Sequence, residues 1–354
     1  MLGIIRSSLK HLMTRWSPFF RREMPIISSG LCSIDISSQQ IAFAINPNLG
    51  KNNLDSVFAI QLQKKIPLSE ILTDAINQYD LKEWPCSLVL QPDEYQLLLL
   101  DNPPVSKSEF QAAIRWKIVN LLSFPIDDAI IDHFLMPLQK THNPRQMILV
   151  AVSRKSFLQS RVRLLREAGL YPVAITIQEL ALRNISALYE KDQKGTAFIY
   201  LENYTSKIII TCGKCFYFQR DLGVPLLAID EINGEGNNTQ LNEMALQIQR
   251  SFDYYQAQWR KALPARIFLA VSDPTFSIEK ISHYLERRLG ISFTKLDLNE
   301  VITIKQNISL AQQHSRLAAI GNALAVPDMS ENDNGFETKL TTQQEDVLEN
   351  ASTN

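Results

Sequence analysis

Two short stretches of the sequence each place an acidic residue and small polar residues directly after an apolar run. The residues are Asp35, Ser37 and Ser38 in "LCSIDISSQQIAFAI", and Glu202, Asn203 and Thr205 in "FIYLENYTSKIII". A tight turn with free N–H groups and hydroxyls can bind a phosphate, and a neighbouring carboxylate can hold Mg²⁺ or its water ligands. Because the arrangement occurs twice, we predict two related halves of the chain that hold one ligand between them.

Neither turn contains the glycine that close approach of a phosphate to the backbone usually requires. Asp35 is flanked by isoleucines, and Glu202 is followed by Asn203 and Tyr204. Asn203 tolerates a left-handed turn, whereas Tyr204 adds bulk where a nucleotide needs space. Two ordinary hairpins, in which Asp, Asn and Ser serve turn chemistry, explain the same pattern. The residues alone leave both interpretations open.

No other set of residues points to catalysis. The sequence contains no Walker loop, no GxSxG, no HExxH and no GxGxxG after a strand. Cys212 and Cys215 flank Gly213 and Lys214 between apolar runs, which indicates a two-residue hairpin turn with reduced thiols rather than a zinc or redox site. The four cysteines and five histidines form no metal array, so we predict no metal site.

The elements that would position these residues alternate between strands and helices, which is typical of α/β layers. Beyond the hairpins, the pattern predicts helices over residues 69–79, 155–168, 179–189, 240–261, 278–289 and 316–325, and strands over 87–90, 96–100, 130–136, 147–152 and 266–271. A capping box of Ser106 and Glu109 predicts one further helix between these strands.

This order divides the chain into four predicted segments. They are a basic amphipathic segment (residues 1–26), a first half (27–190) with a small inserted α+β subdomain at about 101–170, a second half (191–326) whose closing helix over 316–325 returns to the first half, and a disordered acidic tail (327–354). The tail has too few apolar residues to bury enough surface to fold.

The two ends carry opposite charge, +5 over residues 1–22 and −6 over 327–354. The middle is then neutral, which argues against a nucleic-acid groove. No run reaches the roughly 18–20 apolar residues that span a bilayer. A helix over residues 1–22 would be amphipathic and could lie on an anionic membrane surface, or it could pack on its own domain or fray. The predicted membrane-surface residues are Arg6, Lys10, Arg15, Trp16, Phe19, Arg21 and Arg22.

The order of these motifs resembles that of the PilM-type proteins of type IV pilus assembly, and most of all the branch of the mannose-sensitive haemagglutinin (MSHA) pilus systems. The resemblance covers about residues 31–325. It rests on "SIDISSQQIAFAI", on the block from "PPVSKSEFQ" to "LLREAGLYPVAI", and on "FYFQRDLG", "LQIQRSFDYYQ" and "SRLAAIGNALA". It implies an actin-like, FtsA-like α/β fold with two related halves, an inserted subdomain in the first and a reduced second half.

The resemblance also implies a function. It implies a cytoplasmic protein, peripheral to the inner membrane, that binds the N-terminal cytoplasmic peptide of a bitopic PilN-like partner. In the family that peptide binds the first half, near the inserted subdomain. Such a protein links the membrane complex to the assembly motor, an ATPase that is a further expected partner.

Departures from the family concern the nucleotide. Members that bind ATP have glycine where this chain has Ser33, and Asp-Ile-Gly where it has Glu202, Asn203 and Tyr204. They also have a Gly-Gly pair after the strand "RIFLAV", which here continues into "SDPTFS". The stretch between Gly223 and the long helix is too short for the family's small subdomain that closes over the nucleotide.

We therefore expect a scaffold without catalysis or cofactor, in which the six hairpin residues form a vestigial nucleotide site. Two alternatives remain open. One is an actin-like ATPase that still binds ATP and Mg²⁺, and the other is the cytoplasmic component of a type II secretion platform.

Overall fold

The computed structural model describes residues 30–49, 51–106, 108–138, 146–190, 194–230 and 238–324. The predictions for the basic segment 1–26, including its seven membrane-surface residues, and for the tail 327–354 lie outside these residues. Within them, no helix combines the length and the apolar character that crossing a membrane requires.

Strands and helices alternate through the described residues. The strands, in chain order, are β1 (Leu31–Ile36), β2 (Gln40–Asn46), β3 (Asn53–Leu54), β4 (Ser56–Gln61), β5 (Pro85–Leu90), β6 (Gln96–Asp101), β7 (Ala129–Leu135), β8 (Met147–Arg154), β9 (Tyr171–Ile177), β10 (Thr196–Leu201), β11 (Ser206–Cys212), β12 (Cys215–Asp221), β13 (Arg266–Val271), β14 (Thr294–Lys295) and β15 (Thr303–Ile304). The α-helices are α1 (Leu68–Gln78), α2 (Phe110–Ile118), α3 (Lys155–Glu167), α4 (Gln178–Tyr189), α5 (Thr239–Trp259), α6 (Ile278–Leu289), α7 (Leu310–His314) and α8 (Leu317–Ala323).

The two large sheets have the same topology. Their strand orders are β4-β2-β1-β5-β9 and β12-β11-β10-β13-β14. In each sheet, the second strand of a hairpin pairs in antiparallel orientation with the first strand on one side and with a third strand on the other. The first strand of the hairpin also pairs in parallel with β5 in one sheet and with β13 in the other. Parallel neighbours require a crossover, which the intervening helices provide. This repeat confirms the prediction of two related halves.

The central strands are buried on both faces. Every residue of β10 and β11 is buried, as expected for strands covered by helices on one side and by the second layer on the other. On α5, which lies within the predicted helix 240–261, apolar residues from Leu241 to Trp259 are buried at helical spacing. The helix begins after Asn238, whose side chain accepts the N–H of Leu241 at 2.9 Å.

Two helices, α4 and α8, pack between the halves. The helix α8 lies on β1, β2 and β5 of the first sheet and against α4, while α4 also contacts β10 and β11 of the second sheet. The backbones of the two helices approach very closely at Gly321, where an added Cβ would lie 2.1 Å from the carbonyl oxygen of Ala181.

The inserted block forms its own three-stranded sheet, β6-β8-β7, with α2 packed on one face. Its boundaries differ from the predicted range of about 101–170. The sheet begins at Gln96, because β6 pairs with β8 and not with the first large sheet. The apolar face of α3 belongs instead to the core of the first large sheet, through Leu158, Val162 and Leu165.

The predicted capping box is not formed, since α2 begins at Phe110, directly after Glu109, and the side chain of Ser106 makes no cap. Instead, the Oγ of Ser106 donates to the Glu109 carboxylate at 2.7 Å in the turn before the helix.

We predict that Gly321→Ala lowers the free energy of unfolding by about 3 kcal/mol, because overpacking against a rigid backbone separates the two helices. Alanine is intrinsically the better helix former by about 1 kcal/mol, so a loss can only come from this contact. Urea unfolding followed by circular dichroism measures the change.

The control is Gly290→Ala. Gly290 has φ 66° and an added Cβ would meet no atom within 4 Å, so only the left-handed backbone opposes alanine, at about 1–2 kcal/mol. An unchanged or higher stability of Gly321→Ala would contradict the close helix contact.

Candidate functional site

The structure brings all six predicted site residues to one cleft between the two large sheets. This cleft has a volume of about 810 Å³. The predicted residues that line it are Asp35, Ser37, Ser38, Glu202, Asn203 and Thr205. Their convergence follows from the repeated topology, because each turn lies at the same end of an equivalent strand. Whether they bind a nucleotide stays a prediction.

In the first hairpin, the hydroxyl of Ser37 satisfies the turn itself. Its Oγ accepts the backbone N–H groups of Gln39 at 3.3 Å and Gln40 at 3.1 Å, and donates to the carbonyl oxygen of Gln40 at 3.0 Å. These N–H groups are therefore already paired, whereas a phosphate would need them free. Ser38 is exposed at the tip of the turn.

Ser33 does not face the cleft. It is fully buried, and its Oγ accepts a hydrogen bond from Nδ2 of Asn322 in α8 at 2.8 Å. The hydroxyl of Ser87 on the neighbouring strand donates to Oδ1 of the same asparagine at 3.1 Å. The serine at this position thus belongs to the interface between the first sheet and α8.

In the second hairpin, the side chains bind one another. Both carboxylate oxygens of Glu202 accept from Nε2 of Gln178 at 3.0 Å, and one accepts from the hydroxyl of Thr205 at 3.2 Å. Tyr204 at the tip is 64% exposed and lines the cleft. Glu202 and Thr205 are therefore engaged in local structure, and Tyr204 occupies space beside them.

The two hairpins are bonded directly to each other across the cleft. Nδ2 of Asn203 donates to Oε1 of Gln39 at 3.0 Å. A phosphate that entered between the turns would have to break this hydrogen bond as well as displace the paired N–H groups.

Beyond the hairpins, the residues after β13 also line the cleft, as Ser272, Asp273 and Pro274. The carboxylate of Asp273 accepts the N–H and hydroxyl of Thr275 at 2.9 and 2.6 Å. The second half carries no added sheet over the cleft in the part that the structure describes, because β12 ends at Asp221 and one short turn of 3₁₀ helix precedes α5.

The charge of the cleft disfavours a nucleotide. Among the described residues, four carboxyl groups line it, from Asp35, Asp93, Glu202 and Asp273, against one cationic side chain. Even with Asp35 largely protonated at neutral pH, the acids outnumber the cation. That cation, Arg316, donates to the carbonyl oxygen of Val57 at 3.0 Å. An anionic triphosphate would meet a field of its own sign unless a cation came with it.

Asp35 is the residue whose protonation the cleft changes most. Burial of its carboxylate and the nearby charge of Glu202 raise its pKa from 3.8 to about 8. Its one side-chain donor is Gln91, whose Nε2 makes a short hydrogen bond to Oδ1. Burial likewise raises the pKa of Glu202. Burial disfavours the charged form of both carboxyl groups, and the nearby cation Lys207 offsets this effect only in part.

Two buried side-chain oxygens near the second hairpin have no hydrogen-bond donor among the described residues. These oxygens, Gln178 Oε1 and Asn203 Oδ1, therefore need a donor from solvent or a cation. Among the described residues, no group of three or more His, Cys, Asp or Glu side chains could hold a metal ion. The phosphate part of a nucleotide does not fit the turns.

Behind the cleft, a buried ion pair joins the halves. Nζ of Lys207 on β11 lies 2.9 Å from Oε1 of Glu179 on α4, and both side chains are about 5% exposed or less. The hydroxyl of Tyr95 donates to the other oxygen of Glu179. The carboxylate of Glu179 is thus satisfied by one cation and one hydroxyl.

Several of these residues were not predicted from the sequence. Gln91, Gln178 and Glu179 directly follow β5 and β9, which are parallel to β1. Since the carboxyl ends of parallel strands meet at one edge of a sheet, polar residues at these positions were the available signal. The sequence contains no comparable signal for Lys207, because a lone lysine at the start of a strand is normally exposed to solvent.

The CxxC stretch forms the predicted two-residue turn. Cys212 pairs with Cys215 across it, and both Gly213 and Lys214 have positive φ, 59° and 62°. All four cysteines are thiols. The carboxylate of Glu190 accepts the N–H groups of Gly213 and Lys214 at 2.5 and 2.6 Å, so this turn is anchored to the residue after α4.

Comparison with known proteins relates the fold to solved structures. No protein-family model and no curated protein matches the sequence. The chain is similar to a protein of the "PilM-PilN type IV pilus biogenesis complex", with 15% identity and a TM-score of 0.64 over 83% of this chain and 97% of that one. This similarity and the repeated sheets confirm the predicted PilM-like, actin-like α/β fold.

Two further structures are more distant. A Bacteroides thetaiotaomicron protein with an actin-like ATPase fold is 10% identical, with a TM-score of 0.47 over 84% of this chain and 98% of that one. The cytoplasmic domain of EpsL, an inner-membrane component of the Vibrio cholerae type II secretion system, is 10% identical, with a TM-score of 0.42 over 82% and 94%. Neither score is high enough to add to the argument.

We predict that Lys207→Met lowers the free energy of unfolding by about 3–5 kcal/mol, because Glu179 would stay buried without its cation. Chemical unfolding of the purified variant measures this loss. The matched control is Lys305→Met, which breaks an exposed pair with Asp55 and should cost at most about 1 kcal/mol. Equal losses in both variants would show that Glu179 is not held by Lys207.

We also predict that Asp35→Asn stabilises the protein in a pH-dependent way. A carboxyl group with a raised folded-state pKa contributes stability below its unfolded pKa of 3.8, and this contribution is lost as the pH rises towards 8. The variant should therefore gain little near pH 4 and up to about 6 kcal/mol above pH 8, since the shift is about four pKa units and each corresponds to about 1.4 kcal/mol.

Melting temperatures of the two proteins from pH 4 to pH 9 test this dependence. Asp253→Asn removes the same charge from an exposed position on α5 and should give a difference that does not change over this range. A constant difference for Asp35→Asn would mean that its carboxyl group titrates normally.

Proposed function

We propose that this protein is a non-catalytic cytoplasmic scaffold of a type IV pilus assembly platform. It binds the N-terminal cytoplasmic peptide of a bitopic inner-membrane partner of the PilN type and links the membrane complex to the assembly ATPase. The observation that carries the non-catalytic role is the direct contact of the two hairpins, Asn203 to Gln39, at a cleft whose turn N–H groups are already paired.

The shared fold supports the choice of assembly system. The chain matches nearly the full length of a protein from a complex named for PilM and PilN. The sequence motifs quoted above resemble the same family over about residues 31–325. Within that family we propose the MSHA pilus branch, with the protein MshI as the most similar member.

The loss of nucleotide binding follows from the number of contacts missing. A charge-assisted hydrogen bond contributes about 1.5–3 kcal/mol. The loss of three would weaken binding by about 5–9 kcal/mol and move a micromolar dissociation constant beyond the millimolar range. The acids that line the cleft act in the same direction.

Attachment to the membrane is a separate part of the proposal. The basic residues between Arg6 and Arg22, with Trp16 and Phe19, would lie at the surface of the inner membrane, and the PilN-like peptide would bind independently of them. The protein would then be cytoplasmic and peripheral to that membrane.

We predict that calorimetric titration with Mg-ATP gives no binding below about 1 mM, since each missing contact reduces the affinity. In the same buffer, a fluorescent peptide of the partner's N-terminal cytoplasmic residues should bind, and Mg-ATP should leave its dissociation constant unchanged. Deleting residues 1–22 should keep peptide binding and reduce co-sedimentation with anionic vesicles.

The two titrations separate the alternatives. A dissociation constant for Mg-ATP near 1 μM would identify a nucleotide-binding actin-like ATPase. Binding of the cytoplasmic peptide of a type II secretion partner, with no binding of the PilN-like peptide, would place the protein in a secretion platform instead.

A further inference from the structure

A second concave surface lies away from the cleft, between the small sheet and the second half. We call it the edge groove. It has a volume of about 290 Å³, and its walls come from β6 and β8 on one side and from β12 and α5 on the other. Its apolar lining includes Leu97, Leu99, Leu149, Tyr254 and Trp259. Leu99 is 46% and Tyr254 is 40% exposed, so apolar surface faces solvent in the described part of the chain.

Strand β12 presents a backbone edge to this groove. It is the outermost strand of its sheet and pairs only with β11 among the described strands. Five consecutive residues, 216–220, line the groove, so the backbone as well as alternate side chains borders it. Strand β6 is likewise outermost in its sheet. An exposed strand edge beside an apolar wall is a site where an extended peptide can add as a further strand.

The charge of the groove selects an acidic occupant. Among the described residues that line it, Arg220 alone is charged, and its guanidinium lies over the rings of Phe218 and Tyr254 at 5.4 and 5.7 Å. Lys261 lies close by, 5.1 Å from the ring of Tyr217. A basic segment such as residues 1–22, at +5, would be repelled, whereas the tail over 327–354 carries −6.

The described chain ends beside the start of β12. The carbonyl oxygen of Leu324 accepts from Nδ2 of Asn184 at 3.2 Å, and Oδ1 of Asn184 accepts from Arg183 at 3.1 Å. Arg183 in turn donates to the carbonyl oxygen of Lys214, in the turn that leads into β12, at 2.9 Å. Two side chains thus connect the point where the tail starts to the strand edge.

The tail contains a short segment with strand periodicity. In "FETKL", Phe336, Thr338 and Leu340 alternate with charged residues, so Phe336 and Leu340 would lie on one face of an extended strand. The chain between Leu324 and Phe336 can extend over about 40 Å, which is ample to reach a neighbouring strand edge.

From these observations we infer that the acidic C-terminal tail of this chain docks in the edge groove. The segment 336–340 adds to the free edge of β12, Phe336 and Leu340 contact the apolar wall, and the acids around them face Arg220 and Lys261. This inference does not depend on the proposed function.

Hydrogen exchange of the full-length protein, measured by mass spectrometry, tests the docking. In the double variant Phe336→Asp, Leu340→Asp the amides of β12 should exchange at least tenfold faster than in the unchanged protein, because a lost strand exposes them. The matched control, Thr341→Asp with Thr342→Asp, adds the same charge beside the segment and should keep the protection. The amides of β13, inside the sheet, should be unchanged in both variants.

Three outcomes would overturn the inference. Equal exchange of β12 in the unchanged protein and in the double variant would show that the tail does not cover it. Protection that increases with protein concentration would assign the groove to a second copy of the chain. Protection that disappears when residues 1–22 are deleted would assign it to the basic segment.

Discussion

The close contact of α4 and α8 is the constraint on which the rest of the structure depends. At Gly321 the two helices meet backbone to backbone, which only a residue without a Cβ permits. Because α8 lies on the first sheet and α4 on the second, this contact sets the distance between the sheets. The ion pair of Lys207 and Glu179 and the cleft in front of it require that distance.

Given that spacing, the polar groups that border the cleft form hydrogen bonds with one another. The hydroxyl of Ser37 accepts the backbone N–H of Gln40 in its own turn. The side chain of Gln178 donates a hydrogen bond to Glu202, and that of Asn203 donates one to Gln39 in the opposite half. The acids Asp35 and Glu202 have raised pKa values chiefly because burial disfavours their charged forms, and the charge of Lys207 offsets this only in part. A site that binds triphosphate needs the opposite arrangement, with unpaired donors and excess positive charge.

The sequence predicted what depends on local pattern. The two hairpins, the stripe of α5 and the turn at Gly213 follow from residues close together in the chain, so they could be located closely. It could not predict that Gln91, Gln178 and Lys207 surround the acids, because strand order, not sequence distance, brings them there. It also could not predict that the apolar face of α3 belongs to the core of the first large sheet, because that helix packs on β9 and α1 as well as on β8.

The hydrogen bond between Asn203 and Gln39 has a consequence for the whole assembly. Where a bound ligand joins two lobes of a protein, their separation follows the concentration of that ligand in the cell. Here the two halves are joined by groups of the protein itself, at this hydrogen bond and at the contact of α4 with α8, so the separation is the same in a starved cell and in a growing one. On the proposed function, such a subunit is a spacer of constant length, and all movement in the machine must come from its neighbours.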